Sequence, residues 1–363
     1  MAEAHKVKLT LSPQAEKYAR RDAPVEVRRM AAGGALPLPP IELATALFVL
    51  AHDPDDQVKS RARETLENLP DNICQTVLTG ETHPALIGYL AHTFKDEADR
   101  IESIALNPAT DDRTFAFLAT LPHKRVIDIV GNNQQRMLRF PEIVDALGDN
   151  PLTGRATIDR ILTFMGIERP QAELHEEADE SSQPADGEAI TDEVAAAALK
   201  ALLGDDASHF SSDLIEDSEG ELDEATEGNL FKIVQNMNVM QKVKLARMGN
   251  KDARGLLVRD RNKIVAAAAI RSPKITENEV ESFARARNLS EEVIRIIAAN
   301  REWTRSYRVK LGLAMNPKVR IQTAMKFLNF LQERDLRNVM KSKDVPTPIA
   351  AHARRLLQKK GKI

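Results

Sequence analysis

The chain has 363 residues, 42% apolar and 29% charged, which is enough to bury a core and enough for two or three domains. Aromatic content of 4% argues against a β-sandwich or barrel and suits Ala/Leu-rich helical layers. The net charge of −3 conceals three blocks: residues 1–169 sum to −4, residues 170–228 to −18 and residues 229–363 to +19. The single cysteine, Cys74, excludes an internal disulfide and reads as a small core residue. Met1–Pro13 has no apolar leader segment, and the longest apolar run, Leu43–Ala51, is too short to span a membrane. These bounds give the expectation of a soluble, cytoplasmic protein.

The first predicted elements are a polar helix around Gln14–Arg21 and a short helix after Pro24 that ends at Gly33-Gly34. Pro37, Pro39 and Pro40 then launch an apolar helix over Ile41–Ala51. Beyond it, a small polar residue stands directly before proline at Asp53-Pro54, Asn107-Pro108, Asn150-Pro151, Ser272-Pro273 and Asn316-Pro317. Asp, Asn and Ser cap orphan amides and proline suits the first helical position, so each pair is read as a helix start. Pro108 to Pro151 is 43 residues and Pro273 to Pro317 is 44, a period that marks helical repeats. An apolar stripe recurs in register behind four of the prolines: Phe115, Leu118, Ala119; Ile158, Ile161, Leu162; Val280, Phe283, Ala284; and Ala324, Phe327, Leu328. Thr110, Thr153, Ile275 and Val319 fill the position two residues after proline.

Further helices are predicted around Val126–Val130 and over Met137–Leu147. The acidic block, residues 170–228, reads as a disordered linker, because like charge with few apolar groups does not offset the entropy of ordering. A short helix is expected within it at 191–203, capped by Thr191, and Phe210, Leu214 and Ile215 form a second apolar island; two readings stand, segments that dock on a partner or a neighbouring domain and a transient helix with no partner. The carboxyl-terminal arm opens with a helix over Leu230–Met248 and another over Ala253–Val258. It continues with a Ser290-capped helix, a long helix from Arg301 through Ala314, and a last helix over Ile349–Leu357. No alternating strand pattern competes.

The segment Leu43-Ala44-Leu47-Leu50, Asp53-Pro54-Asp55-Asp56-Gln57-Val58-Lys59, Ala62 and Leu66 resembles a HEAT repeat, whose second helix carries Asp, Val and a basic residue in that order. The chain also resembles an uncharacterised bacterial repeat family through Leu36-Pro37-Leu38-Pro39-Pro40, Gly249-Asn250-Lys251-Asp252-Ala253-Arg254, Arg259-Asp260-Arg261-Asn262-Lys263 and Asn300-Arg301-Glu302-Trp303. The resemblance implies an all-α fold: an α-solenoid of HEAT-like and armadillo-like two- and three-helix repeats. The expected layout is an amino-terminal arm over 1–169 and a basic carboxyl-terminal arm over 229–363, joined by the acidic linker. Repeats of this class bind other macromolecules, and the resemblance implies no activity.

The residues carry no reaction signature. Gly33-Gly34 lacks the Lys-Ser or Lys-Thr of a phosphate loop, and no Gly-x-Ser-x-Gly elbow occurs. The eight histidines make no ligand pair; His83 and His92 read as surface residues. No enzyme activity, cofactor or metal is expected. The remaining candidate is a cationic stripe of Arg254, Arg259, Arg261, Lys263, Arg301, Arg305, Arg308, Lys310, Lys341 and Lys343, near predicted inter-helix turns that stack along one edge. Such a stripe attracts an acidic protein surface, and the expected function is a protein–protein scaffold or adaptor. The alternative is a nucleic-acid-binding module, with Trp303 and Tyr307 available to stack on bases. Against that, Trp303, Tyr307, Leu311 and Ala314 share a helical stripe and read as core.

Overall fold

In the computed structural model, the described residues are 9, 11–167, 214 and 224–359. All regular elements among them are helical. The expected linker over 170–228, with its short helix at 191–203, lies outside the described residues except for Leu214 and the helix that begins at Glu224. The chain divides into two compact units, Met1–Thr153 and Gly154–Ile363.

The first unit holds α1 (Pro13–Ala19), α2 (Val25–Ala32), α3 (Pro40–Leu50), α4 (Asp56–Glu67), α5 (Asp71–Thr79), α6 (Pro84–Thr93), α7 (Ala98–Leu106), α8 (Asp112–Thr120), α9 (Lys124–Gly131), α10 (Gln134–Arg139) and α11 (Glu142–Asp149). Alternate helices are neighbours. One layer runs α1, α3, α5, α7, α9, and behind it α2 meets α4, α6 meets α8, and α8 meets α11. The expected helix over Met137–Leu147 is two helices, because Pro141 cannot continue the first. The core between the layers is aliphatic, with Leu47, Leu50, Val58, Leu66, Ile87, Ile104 and Leu118 all at 0% exposure. Cys74 belongs to it at 2% exposure, and burial pushes its thiol pKa up.

The second unit holds α12 (Arg155–Phe164), α13 (Glu224–Gln235), α14 (Val239–Met248), α15 (Lys251–Leu257), α16 (Lys263–Ile270), α17 (Glu277–Arg285), α18 (Glu291–Ala299), a 3-10 turn (Trp303–Arg305), α19 (Tyr307–Met315), α20 (Ile321–Leu328), α21 (Glu333–Lys341) and α22 (Thr347–Lys359). Here α14, α16 and α18 form one layer. Against it lie α13 with α15, and α17 with α19. Helix α12 groups with this unit rather than with the amino-terminal arm, since it packs on α16 and Asp159 meets the buried Arg271 guanidinium at 2.7 Å. The expected Leu230–Met248 helix breaks at Asn238, which caps α14 in a reciprocal box with Gln241. The expected Arg301–Ala314 helix breaks at Ser306 into the 3-10 turn and α19.

The small-polar-Pro pairs are not the helix caps the sequence suggests. Each is followed by a turn, and the helix begins later, at Asp112, Arg155, Glu277 and Ile321. The residue before α8 is Asp111 and the residue before α17 is Thr276; those side chains do the capping. Only Asp53-Pro54 lies close to its helix, and there too Asp55 is the cap. The buried asparagines do something else. The Asn107 amide donates to the carbonyls of Leu78 (2.7 Å) and Gly80 (2.9 Å), and its oxygen accepts from the Ala109 amide (2.8 Å). Asn150 bridges Ala119 and Leu121 at 2.7 and 3.0 Å, and Asn316 bridges Ala284 and Ala286 at 2.9 and 2.9 Å. Each asparagine ends one helix and ties off the carbonyls at the end of a helix packed beside it, namely α7 to α5, α11 to α8 and α19 to α17. Those carbonyls have no partner inside their own helix. Proline fixes the turn that holds the amide in place.

The residue two places after proline closes the turn from below. The Thr110 hydroxyl donates to the Ile104 carbonyl at 2.6 Å and the Thr153 hydroxyl to that of Leu147. Val319 fills the same position as an apolar plug at 6% exposure. The four apolar stripes are buried throughout: Phe115, Ile158, Phe283 and Phe327 show 2%, 2%, 5% and 9% exposure. Replacing Asn107 with Ala strands two carbonyls and should cost about 2–4 kcal/mol, whereas Thr110→Val should cost under about 1.5 kcal/mol. Urea unfolding followed by circular dichroism compares the two, and equal costs would remove the clamp from the account.

Candidate interaction surface

The direction of each helix in the second unit is fixed by contacts at its ends. The start of α17 meets the start of α19 through Glu281, which accepts from the Ser306 hydroxyl at 3.3 Å and lies 3.5 Å from Arg308. Their ends meet through Asn316. The Tyr307 hydroxyl donates to Asp335 at the start of α21, while Arg287 pairs with Asp344 beyond its end at 2.9 Å. The Lys274 ammonium reaches the Met248 carbonyl at 2.9 Å, so the α16–α17 loop lies beside the end of α14. Lys242, in the first turn of α14, pairs with Asp260 before α16 at 2.9 Å. Two opposite edges result, here called the Tyr307 edge and the Asn316 edge.

The ten candidate cations do not form one stripe. Arg254 leaves the set: it is 4% exposed, holds Glu279 with two bonds of 2.9 Å and donates to the Gly249 carbonyl at 2.9 Å. Arg259, Arg261, Lys263, Lys341 and Lys343 lie on the Asn316 edge, at the starts or ends of α15, α16 and α21. Arg301, Arg305, Arg308 and Lys310 lie on the opposite edge, around the 3-10 turn. The cause is parity. Each helix crosses the unit, so an odd number of helices between two loops puts them on opposite edges.

The two edges differ in charge. On the Tyr307 edge the cations are interleaved with Asp252, Glu277, Glu281, Glu302, Glu333 and Asp335. Arg308 is paired with Glu281, and the Lys310 ammonium sits 4.9 Å from the Phe330 ring. The Asn316 edge gathers cations that the sequence reading left out: Arg285, Arg287, Lys318 and Arg320. Its acids are few. Asp260 is held by Lys242, Asp344 by Arg287 and Glu292 by Arg295, with Glu291 beside them. A stripe reading confined to residues near each other in sequence misses Arg285–Arg287 and Lys318–Arg320, because only the Asn316 clamp brings those loops together.

Trp303 and Tyr307 are half-buried on the Tyr307 edge, and Tyr307 is engaged by Asp335, whose contact together with burial pushes the phenol pKa up. The aromatic pair therefore does not lie among the cations of the Asn316 edge. In the first unit, His83 caps α6 by accepting from the Ala85 amide at 3.1 Å, and His92 stacks on Phe117 with centroids 3.8 Å apart. A hollow of about 510 Å³ lies beside His92, lined by Glu67, Tyr89, Phe94 and Glu97. A second of about 490 Å³, lined by Leu230, Lys251, Arg259, Asn278, Ser282 and Phe283, opens between α13, α15 and α17. Among the described residues, no group of three or more His, Cys, Asp or Glu is placed to hold a metal ion, and no helix is long and apolar enough to cross a membrane.

Comparison with protein-family models, with curated proteins and with solved structures finds no match to this chain.

Burial pushes the Glu279 carboxyl pKa up, but the Arg254 guanidinium and the hydroxyl and amide of Thr276 outweigh this and hold it below its ordinary 4.5. A depressed folded pKa gives stability that is present above the unfolded value and lost as pH falls through the folded one. Glu279→Gln strips the charge from a 3%-exposed partner of Arg254 and should cost about 3 kcal/mol or more at pH 7. The gap between wild type and variant should narrow as pH falls below 4.5, read from denaturant midpoints. A gap independent of pH would remove the ion pair from that role.

Proposed function

We propose that the protein is a non-catalytic helical-repeat scaffold of the HEAT-like, α-solenoid kind, working in the cytoplasm and presenting rigid helix ends to an acidic protein partner. The packing of alternate helices into two layers within each unit supports the repeat reading. The observation that carries the binding reading is the uneven charge of the second unit. Cations concentrate on the Asn316 edge, while acids neutralise those on the Tyr307 edge. A one-sided field of this kind steers and orients a partner of opposite charge.

The alternative is nucleic acid on the same edge. A duplex presents uniform charge, one per about 1.7 Å of axis, and would set phosphates against Glu291 and Asp344 as well as against the cations. A polypeptide can space its acids to avoid them. The side chains suited to base stacking, Trp303 and Tyr307, stand on the other edge. Both points favour the acidic protein.

Titration of the full-length protein with polyglutamate and with random-sequence duplex separates the two readings. Polyglutamate should bind, and Arg261→Glu with Arg320→Glu and Lys343→Glu should weaken it by roughly tenfold or more. Arg301→Glu with Arg305→Glu should change it little. Duplex binding that exceeds polyglutamate binding at equal salt would favour the alternative, and equal effects of the two variant sets would remove the edge from the account.

A further inference from the structure

Aromatic rings are scarce in this chain, at 4% for Phe, Trp and Tyr together, and its core is built mainly from aliphatic side chains. The first unit nevertheless gathers rings at its surface. Tyr89 and His92, three residues apart on α6, share one face of that helix. The Tyr89 ring packs edge-on with Phe48, centroids 5.5 Å apart, and lies 6.4 Å from His52. His52 is itself fixed, with Nδ1 2.9 Å from the Phe48 carbonyl, and His92 stacks on Phe117 of α8. His52 and His92 are exposed while Tyr89 and Phe117 are half-buried, so these rings are held by neighbours without filling the core.

The hollow of about 510 Å³ beside His92 falls in the size range of ligand sites, about 300–1,000 Å³. Among the described residues, its lining adds two exposed carboxylates, Glu67 and Glu97, to the rings, and no lysine or arginine. Burial pushes the Tyr89 phenol pKa up, with Arg63 opposing and Glu67 adding to the rise, so the Glu67 charge is felt at the ring. Glu97 is engaged by Arg100, whose Nε lies 3.0 Å away, whereas Glu67 makes no ion pair among the described residues. The same unit shows what fills such a place. Arg100 lies 4.3 Å over the Phe94 ring while pairing with Glu97 and Asp71, and Arg136 lies 4.5 Å over the Phe115 ring while pairing with Asp112. Each guanidinium has a ring beneath it and a carboxylate beside it, because ring faces are negative and the planar cation stacks on them. Tyr89, His92 and Glu67 offer that combination with no arginine of the described residues in the lining.

We propose that this hollow is a docking site for an arginine side chain of a partner polypeptide, its guanidinium stacked on the Tyr89 and His92 rings and held by Glu67. The carboxylates repel phosphates and acidic chains, so the surface is complementary in charge to a basic segment. The rings are fixed by Phe48, His52 and Phe117 before anything binds, which leaves little of the protein to be ordered on binding. The site belongs to the first unit and does not rest on the reading of the second unit's edges.

The chain has three tyrosines, Tyr18, Tyr89 and Tyr307, so NMR of the full-length protein with isotope-labelled tyrosine rings reads this site against two internal controls. A capped Arg-Gly-Arg peptide should shift the Tyr89 signals saturably and leave those of Tyr18 and Tyr307 in place. A capped Lys-Gly-Lys peptide of the same charge should bind at least about threefold more weakly. Free arginine, whose own carboxylate is repelled by Glu67 and Glu97, should also bind at least about threefold more weakly. Glu67→Gln and His92→Ala, both at exposed positions, should each weaken the arginine peptide about threefold, and together about tenfold. Equal shifts at all three tyrosines, equal affinity for the two peptides, or unchanged binding in the double variant would overturn the proposal. Free arginine binding as well as the peptide would make the occupant a small molecule. Tyr89 signals that move with protein concentration alone would make it a second copy of this chain. Either result removes the partner polypeptide.

Discussion

A helix that stops inside a protein leaves its last carbonyls without partners, and a stack of short helices multiplies that problem. With helices of about nine residues, the ends are a large fraction of the backbone. This chain answers with a buried asparagine. One amide group supplies two donors in a fixed plane, enough to satisfy two carbonyls of the neighbouring helix, while its oxygen stabilises the turn it sits in. The clamp ties adjacent helices end to end, so it also sets their register. The spacing of loops along each edge is a consequence of it.

Arginine–carboxylate pairs reinforce the same junctions. Arg28 with Asp53, Arg100 with Asp71 at 2.9 Å, Arg136 with Asp112 at 3.0 Å and Arg254 with Glu279 at 2.9 Å each connect one helix with the start of another. The carboxylate lies in or just before a first helical turn, where the backbone dipole also favours it. Asp112 shows the sum of these effects. Hydrogen bonds from Arg139 outweigh burial, and with Arg136 they hold its pKa below the ordinary value. The buried pairs among them, Arg28–Asp53 and Arg254–Glu279, add little net stability over apolar packing but punish any loss of one partner, which makes them devices of register. They also consume cations, and this is why Arg254 is not available to a partner.

The helices and their buried faces were legible in the sequence because both depend on local spacing. Phe115 and Ile158 stand seven residues after proline and Phe283 and Phe327 ten, two offsets on the same helical stripe, and all four are buried. The role of the asparagine was not legible, since Asn-Pro fits a cap as well as a clamp and the two differ only in what lies about 30 residues upstream. The breaks at Pro141 and Asn238 were missed where apolar residues continue across a boundary. The arrangement of the cations was half legible: composition gathers them in the second unit, but which edge each one lies on depends on counting the helices between loops. The broken Arg301–Ala314 helix shows how sensitive that count is, because the 3-10 turn and α19 together return the chain to the Asn316 edge.

That parity also explains why the surface polarises without any single segment being basic. Acidic first turns belong at helix starts and basic last turns at helix ends. In a layer whose members run parallel, all starts share one edge and all ends the other. For α17, α19 and α21 the starts fall on the Tyr307 edge, with Glu277, Glu281, Glu333 and Asp335. The ends fall on the Asn316 edge, with Arg285, Lys318 and Lys341. Local charge preferences of separate helices are thereby added in phase. A surface built in this way needs no dedicated basic motif, and its strength grows with each parallel helix added to the layer.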